Sequence, residues 1–230
     1  MRLLIVSATV FEIAPLLRFL EEGSYRQVQP FHFRKGTHDL RLLVTGVGIA
    51  LTAYHLAKAL GSQPFDLVIN AGIAGSFNRS IHLGEVVQVV SEEFGELGVE
   101  EADGSFSSVF SMGLLEPDHP PFEKGRLIQP NRDPIPGMRA VAGLTTDRVH
   151  GFPPGIEACV KRYGADIETM ESAAFFLCCL LEKRPFFALR AVSNYVEARN
   201  KEAWELPKAI DRLNETLISI TETILEGSVR

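Results

Sequence analysis

The sequence predicts a three-layer αβα sandwich built on a central mixed, largely parallel sheet, with residues 1–230 forming a single domain. Three observations predict it. Strand-length apolar runs alternate with stretches of helical periodicity, the pattern of βαβ units. The runs are near-continuous in Leu, Ile and Val, so the strands bury both faces and the sheet needs helices on both sides. Apolar residues make up 46% of the 230, enough for a sizeable core and too many for an intrinsically disordered chain. No internal repeat, low-complexity tract or linker divides the chain.

The elements follow in order. Residues 3–7 read as a strand and not as a secretion signal, because the apolar run meets Glu12 without a small-residue cleavage site. A helix follows, with Phe11, Ala14, Leu16, Leu17 and Leu20 at helical spacing. Residues 42–45 form a second strand and 50–60 a second helix. A third strand, 67–70, leads into a glycine turn, Gly72-Ile73-Ala74-Gly75. Residues 85–90 form a further strand. Clustered Gly, Ser, Pro and acidic residues across 92–136 read as long loops with at most short elements, of the kind used for binding or subunit contact. Cys159 lies in a helical stretch, and residues 166–174 pass from a short strand into a helix over 172–181. A strand follows at 186–192, with polar groups from Arg190 onward marking its end. An amphipathic helix over 204–226 closes the chain, with Leu206, Ile210, Leu213, Leu217, Ile220 and Ile224 on one face and Pro207 in its first turn.

Composition excludes several classes. Lys plus Arg number 23 against 29 Asp plus Glu, a net charge of −6, which disfavours a phosphate-backbone binder and gives no support for docking on an anionic membrane. No apolar run approaches the roughly 20 residues of a transmembrane helix. The three cysteines sit in helical stretches and read as buried thiols, so a reducing, cytoplasmic setting is expected. The six histidines lack metal-ligand spacing, so neither a bound metal nor a cofactor is expected.

Open α/β sheets bind ligands beyond the carboxyl ends of their strands, and four polar interruptions fall there. They are Glu12 after strand one, residues 70–75, Met170-Glu171-Ser172-Ala173-Ala174, and Arg190-Ala191-Val192-Ser193-Asn194. Each has a plain structural reading alone. Glu12 complements a helix dipole, the glycines permit a tight turn, Arg190 ends a strand and Asn194 forms a cap or turn. Glu171 resists that reading, because the apolar residues after it point to an interior helix where an unpaired carboxylate is costly. Gly46-Val47-Gly48 is half of a dinucleotide fingerprint and lacks the third glycine and the matching acidic residue.

Together these segments resemble the nucleoside phosphorylase and nucleosidase superfamily over nearly the whole chain. Within it the sequence looks closest to the futalosine hydrolases, relatives of the methylthioadenosine/S-adenosylhomocysteine nucleosidases. The resemblance implies a metal-free N-ribosyl hydrolase that releases hypoxanthine from futalosine in menaquinone synthesis. It implies Glu171 on the ribose hydroxyls, Met170 packed on the sugar, Glu12 activating water, and Arg190 holding that water and fixing Glu12. It also implies that Asn194 and its neighbour Ser193 face the base, which passes under the 145–151 loop with Val149 as an apolar wall and Thr146 nearby. The adenosine-type enzymes carry an aspartate at the position of Asn194, so the amide favours a 6-oxopurine. Ile73 stands where a hydroxyl or cation would serve a phosphate, which favours water as nucleophile. Arg148, Arg199 and Lys201 are candidate partners for the benzoate, and His150 reads as solvated. A homodimer is expected, with residues 106–121 reaching the neighbour's pocket. Competing readings are a methylthioadenosine/S-adenosylhomocysteine nucleosidase, a purine or uridine nucleoside phosphorylase, and a non-catalytic nucleoside binder.

Overall fold

A computed structural model of the protein describes residues 1–130 and 134–227. Its first half runs β1 (Arg2–Ser7), α1 (Val10–Glu22), β2 (Arg26–Gln29), β3 (His32–Lys35), β4 (His38–Val44), α2 (Ile49–Ser62), β5 (Leu67–Ser76) and β6 (Val86–Phe94). Short strands follow: β7 (Gly98–Glu100), β8 (Phe106–Ser108), β9 (Phe122–Glu123) and β10 (Arg126–Ile128). The remainder is β11 (Arg139–Thr145), α3 (Pro153–Tyr163), β12 (Ile167–Thr169), α4 (Ser172–Leu181), β13 (Phe186–Tyr195), a 3-10 turn at Lys201–Ala203 and α5 (Leu206–Leu225).

Alternation along the central strands produces the three layers. Leu4 and Val6 of β1, Val68 of β5, and Ala188 and Val192 of β13 join Leu56 and Leu60 of α2 and Phe175, Phe176 and Cys179 of α4 in one core. Their neighbours Leu3, Ile5, Ile69, Ala71, Leu189 and Ala191 join Ile13, Leu16 and Leu20 of α1 and Leu213 and Leu217 of α5 in the other. Period-two side-chain direction dictates this division, and each fully buried Leu or Ile contributes about 1.5–3 kcal/mol. The three cysteines are free and buried, filling space as small apolar groups.

The sheet is mixed. β4, β1, β5 and β13 are parallel neighbours, and β2 and β3 add an antiparallel edge. At the other end β13 pairs with both β5 and β6, while β12 and β11 bridge β5 to β6, so five strands close on one another. Strand periodicity carries no sign of that closure.

Several expected elements change extent. The 72–75 segment is no turn: β5 continues to Ser76, with β13 pairing alongside as far as Tyr195. Flanking strands satisfy the backbone there, and the glycines leave room for side chains instead of reversing the chain. Likewise Arg190 lies inside β13 and not at its end. The 92–136 stretch holds four short strands besides the end of β6, and its residues 131–133 lie outside the described residues.

One contact ties the last helix to the first. Pro15 lies inside α1, and the Asn214 amide of α5 sits against that turn. Its Oδ1 accepts from the Leu16 N–H at 3.0 Å, and its Nδ2 donates to the Glu12 carbonyl at 2.8 Å. Asn214 thus gives both backbone groups a buried side-chain partner next to a proline, which supplies no N–H to the ladder.

Candidate active site

Glu12 sits in the first turn of α1, 7% exposed. Its Oε2 accepts from Ser7 Oγ at 3.1 Å, and from the Thr9 N–H and Thr9 Oγ1 at 2.9 Å each. Thr9 and Glu12 form a capping box, a Thr-x-x-Glu signal present in the sequence. The other oxygen, Oε1, crosses to β5 and accepts from the Ile73 N–H at 3.2 Å. Gly72 makes that crossing possible: a Cβ there would lie 2.8 Å from Glu12 Oε1 and 3.7 Å from Arg190 Cζ.

Arg190 is fully buried on β13. It donates to the Leu189 carbonyl at 2.8 Å, to Ser172 Oγ at 2.6 Å and to Asn70 Oδ1. Thus it reaches α4 and β5 rather than bonding Glu12, while its charge acts on Glu171, Glu12 and Glu92. Glu171 caps α4, and its Oε1 accepts from the Gly48 N–H at 3.0 Å. Gly48 follows β4 with φ of 100°, which explains a glycine there without any dinucleotide. Burial raises the Glu171 carboxyl above its usual range, the Gly48 amide and Arg190 oppose that shift, and the Glu12 charge adds to it. The two carboxylates, 159 positions apart in sequence, therefore share one electrostatic neighbourhood with Arg190. Met170 precedes Glu171, half-buried.

Behind Arg190 lies Glu92, fully buried, its Oε2 accepting from Thr145 Oγ1 at 2.9 Å. Burial pushes its carboxyl up to about 8. Thr145 Oγ1 also accepts the Ala173 N–H at 2.8 Å, which holds the start of α4. Sequence reading missed Asn70, Ser172, Gly48 and Glu92, because their roles depend on strand pairing across the sheet.

Beside this cluster is a cavity of about 100 Å³ lined by Gly75, Val149, His150, Glu168, Asn194 and Trp204, among others. Asn194 Oδ1 accepts from Ser193 Oγ at 2.8 Å and Nδ2 donates to the Tyr195 carbonyl at 3.0 Å, which fixes the amide. Ser193 is buried and Val149 is half-exposed at the rim. Of the three candidate cations Arg199 lines the cavity, while Arg148 is an exposed partner of Glu96. His150 is not solvated: its ring and its backbone N–H both engage Glu168.

Comparison with known proteins identifies the family. Residues 2–129 match the family model of the phosphorylase superfamily. The futalosine hydrolase of Thermus thermophilus is 30% identical over 84% of this chain and 87% of its own. That of Streptomyces coelicolor is 32% identical over 76% of each chain. Among solved structures, the 5'-methylthioadenosine/S-adenosylhomocysteine nucleosidase of Neisseria meningitidis, in complex with methylthio-immucillin-A, shares the fold with a TM-score of 0.76 at 19% identity, over 96% of this chain and 99% of that one. The chain belongs to the phosphorylase superfamily and, within it, to the N-ribosyl hydrolases that include the futalosine hydrolases. No described helix is long and apolar enough to cross a membrane.

Proposed function

We propose that the protein hydrolyses the N-ribosidic bond of futalosine, releasing hypoxanthine, as a step of menaquinone biosynthesis. The observation that carries this reading is that both acids come close to one buried arginine, beside a cavity that holds an asparagine amide: bare Gly72 lets Glu12 Oε1 approach the Arg190 guanidinium, and Ser172, next to Glu171, accepts from it. Cleavage of an N-ribosidic bond builds positive charge on the ribosyl ring as the base leaves. A carboxylate on the ribose hydroxyls binds that charged ring more strongly than the ground state, which is what accelerates a reaction. Glu171 fills that role, with Met170 against the sugar. Glu12 accepts a proton from the attacking water, whose oxygen bonds to the anomeric carbon as the carbon–nitrogen bond breaks and the electron pair passes to the base.

Arg190 serves as a positioning residue that holds the start of α4 through Ser172 and balances both acids. Asn194, fixed by Ser193 and Tyr195, keeps one amide hydrogen for the departing base, and a neutral amide suits an oxopurine better than an acid would. Ile73 presents an apolar side chain where a phosphate dianion would need donors, and its backbone N–H is already taken by Glu12. Val149 walls the base. The exposed Phe11, Val47 and Leu114 side chains support closure by a second copy, the homodimer of this reading.

Purine release from futalosine, inosine and methylthioadenosine, each with and without phosphate, tests the proposal. Hypoxanthine should appear from futalosine at one rate under both conditions. Dependence on phosphate, or faster release of adenine from methylthioadenosine, would overturn it.

A further inference from the structure

Glu168 and His150 take no part in the steps above, yet both line the cavity beside Asn194. Glu168 is 3% exposed. A carboxylate is rarely buried to that extent unless it is paired. The pairing is one-sided. Its Oε2 accepts from the His150 N–H at 2.9 Å and its Oε1 meets the same residue's ring. Hydrogen bonds to Cys159 and then to Glu168 push the imidazole up to about 10, so the ring is held as a donor against the carboxylate and orients it. An ionised carboxylate offers about four acceptor sites, and His150 uses two of them.

Strand register sets the pair opposite Asn194. Glu168 of β12 and Asn194 of β13 are both aligned with Gly75 of β5, one on each side. Residues aligned across a sheet point to the same face, and two strand spacings of about 4.8 Å separate these backbones by roughly 10 Å. Gly75 adds no side chain between them, and none would fit: a Cβ there would stand 2.9 Å from Val196 Cγ2 and 3.2 Å from Asn194 Nδ2. The slot suits a flat heteroaromatic ring gripped by an amide at one edge and a carboxylate at the other.

Resting on the reading that a nucleoside base occupies this cavity, the geometry points to Glu168, oriented by His150, as a second base-selecting residue that accepts the N1–H of a 6-oxopurine. A 6-aminopurine has a lone pair at N1 and would face the carboxylate with like polarity. Sites that hydrogen-bond a substrate proton discriminate strongly against analogues lacking it, because the buried group is then left unpaired.

The test compares kcat/KM for inosine and adenosine, which differ only in the base, in the unaltered enzyme and in Glu168→Gln. The inosine preference should fall at least tenfold in the variant. An unchanged preference, or an equal loss for both substrates as a merely structural role would give, overturns the inference. Should the variant fail to fold, the unaltered enzyme gives the answer by inhibition: 1-methylhypoxanthine, which has no N1–H, should compete at least tenfold more weakly than hypoxanthine, and equal competition refutes the assignment. Absence of hypoxanthine release from futalosine by the unaltered enzyme would instead sink the functional reading beneath it.

Discussion

Adding one methyl group at Gly72 tests whether the position of Glu12 governs the reaction. The Cβ of Gly72→Ala would stand 2.8 Å from Glu12 Oε1, about 0.6 Å inside the ordinary contact range that begins at 3.4 Å. A free side chain would swing aside at little cost. Glu12 cannot, because three donors hold its Oε2 and the Ile73 N–H holds Oε1. The least costly relief gives up the Ile73 bond and turns Oε1 away from β5. A hydrogen bond to a charged group is worth about 1.5–3 kcal/mol, and misplacing a reacting group by about an ångström costs roughly a hundredfold in rate. Turnover should therefore fall about 10²-fold. Overpacking should cost about 1–3 kcal/mol of stability, visible as a modest drop in thermal midpoint with the fold retained. Steady-state purine release and thermal melting, measured on the same preparation, separate the two effects. Turnover within threefold of the unaltered enzyme would refute the reasoning, since the carboxylate would then work from a displaced position.

Three further substitutions extend the test. Glu171→Gln keeps shape and removes charge, and should lower turnover by about 10²–10³-fold while leaving the affinity for free hypoxanthine within threefold, as read by competitive inhibition. Asn194→Asp supplies an acid next to the base, and the ratio of methylthioadenosine to futalosine cleavage should rise at least tenfold; a constant ratio removes Asn194 from substrate choice. Glu92→Gln should alter the pH dependence of stability. Glu92 keeps its proton in the folded protein up to about pH 8, whereas an ordinary glutamate releases it near 4.5. The folded state thus binds the extra proton between those values, so this contribution is complete below about 4.5 and is lost as pH rises through about 8. The neutral amide has no such slope, so the variant's thermal midpoint should gain on the unaltered protein between pH 5 and 8.5. Parallel midpoints across that range would show that Glu92 does not titrate as described.

Much of the layer arrangement was legible because period-two and period-3.6 patterns are written locally: the runs at β1, β5 and β13 and the stripe on α5 needed no partner to be read. The candidate acids were legible as polar breaks in apolar surroundings. What was not legible depends on distant register. Gly72 and Gly75 read as a turn because glycine pairs usually are one, yet β13 pairs with β5 through both of them and β12 joins on the other side at Gly75. The β2–β3 edge carries no clear apolar run, and β11, an Ala- and Gly-containing strand, gives a weak signal of its own. His150 reads as solvated because its partner, Glu168, lies 18 residues away on β12 and meets the loop after β11 only through the pairing of those two strands.

The amide bridge from Asn214 joins two distant parts of the chain, since Glu12 and Asn214 lie 202 positions apart. That one amide holds the Leu16 N–H and the Glu12 C=O, on the backbone that carries the side chain proposed to activate water. A single domain generally folds as a unit, so the seating of that carboxylate depends on α5 as much as on α1, and whatever loosens the closing helix loosens the base.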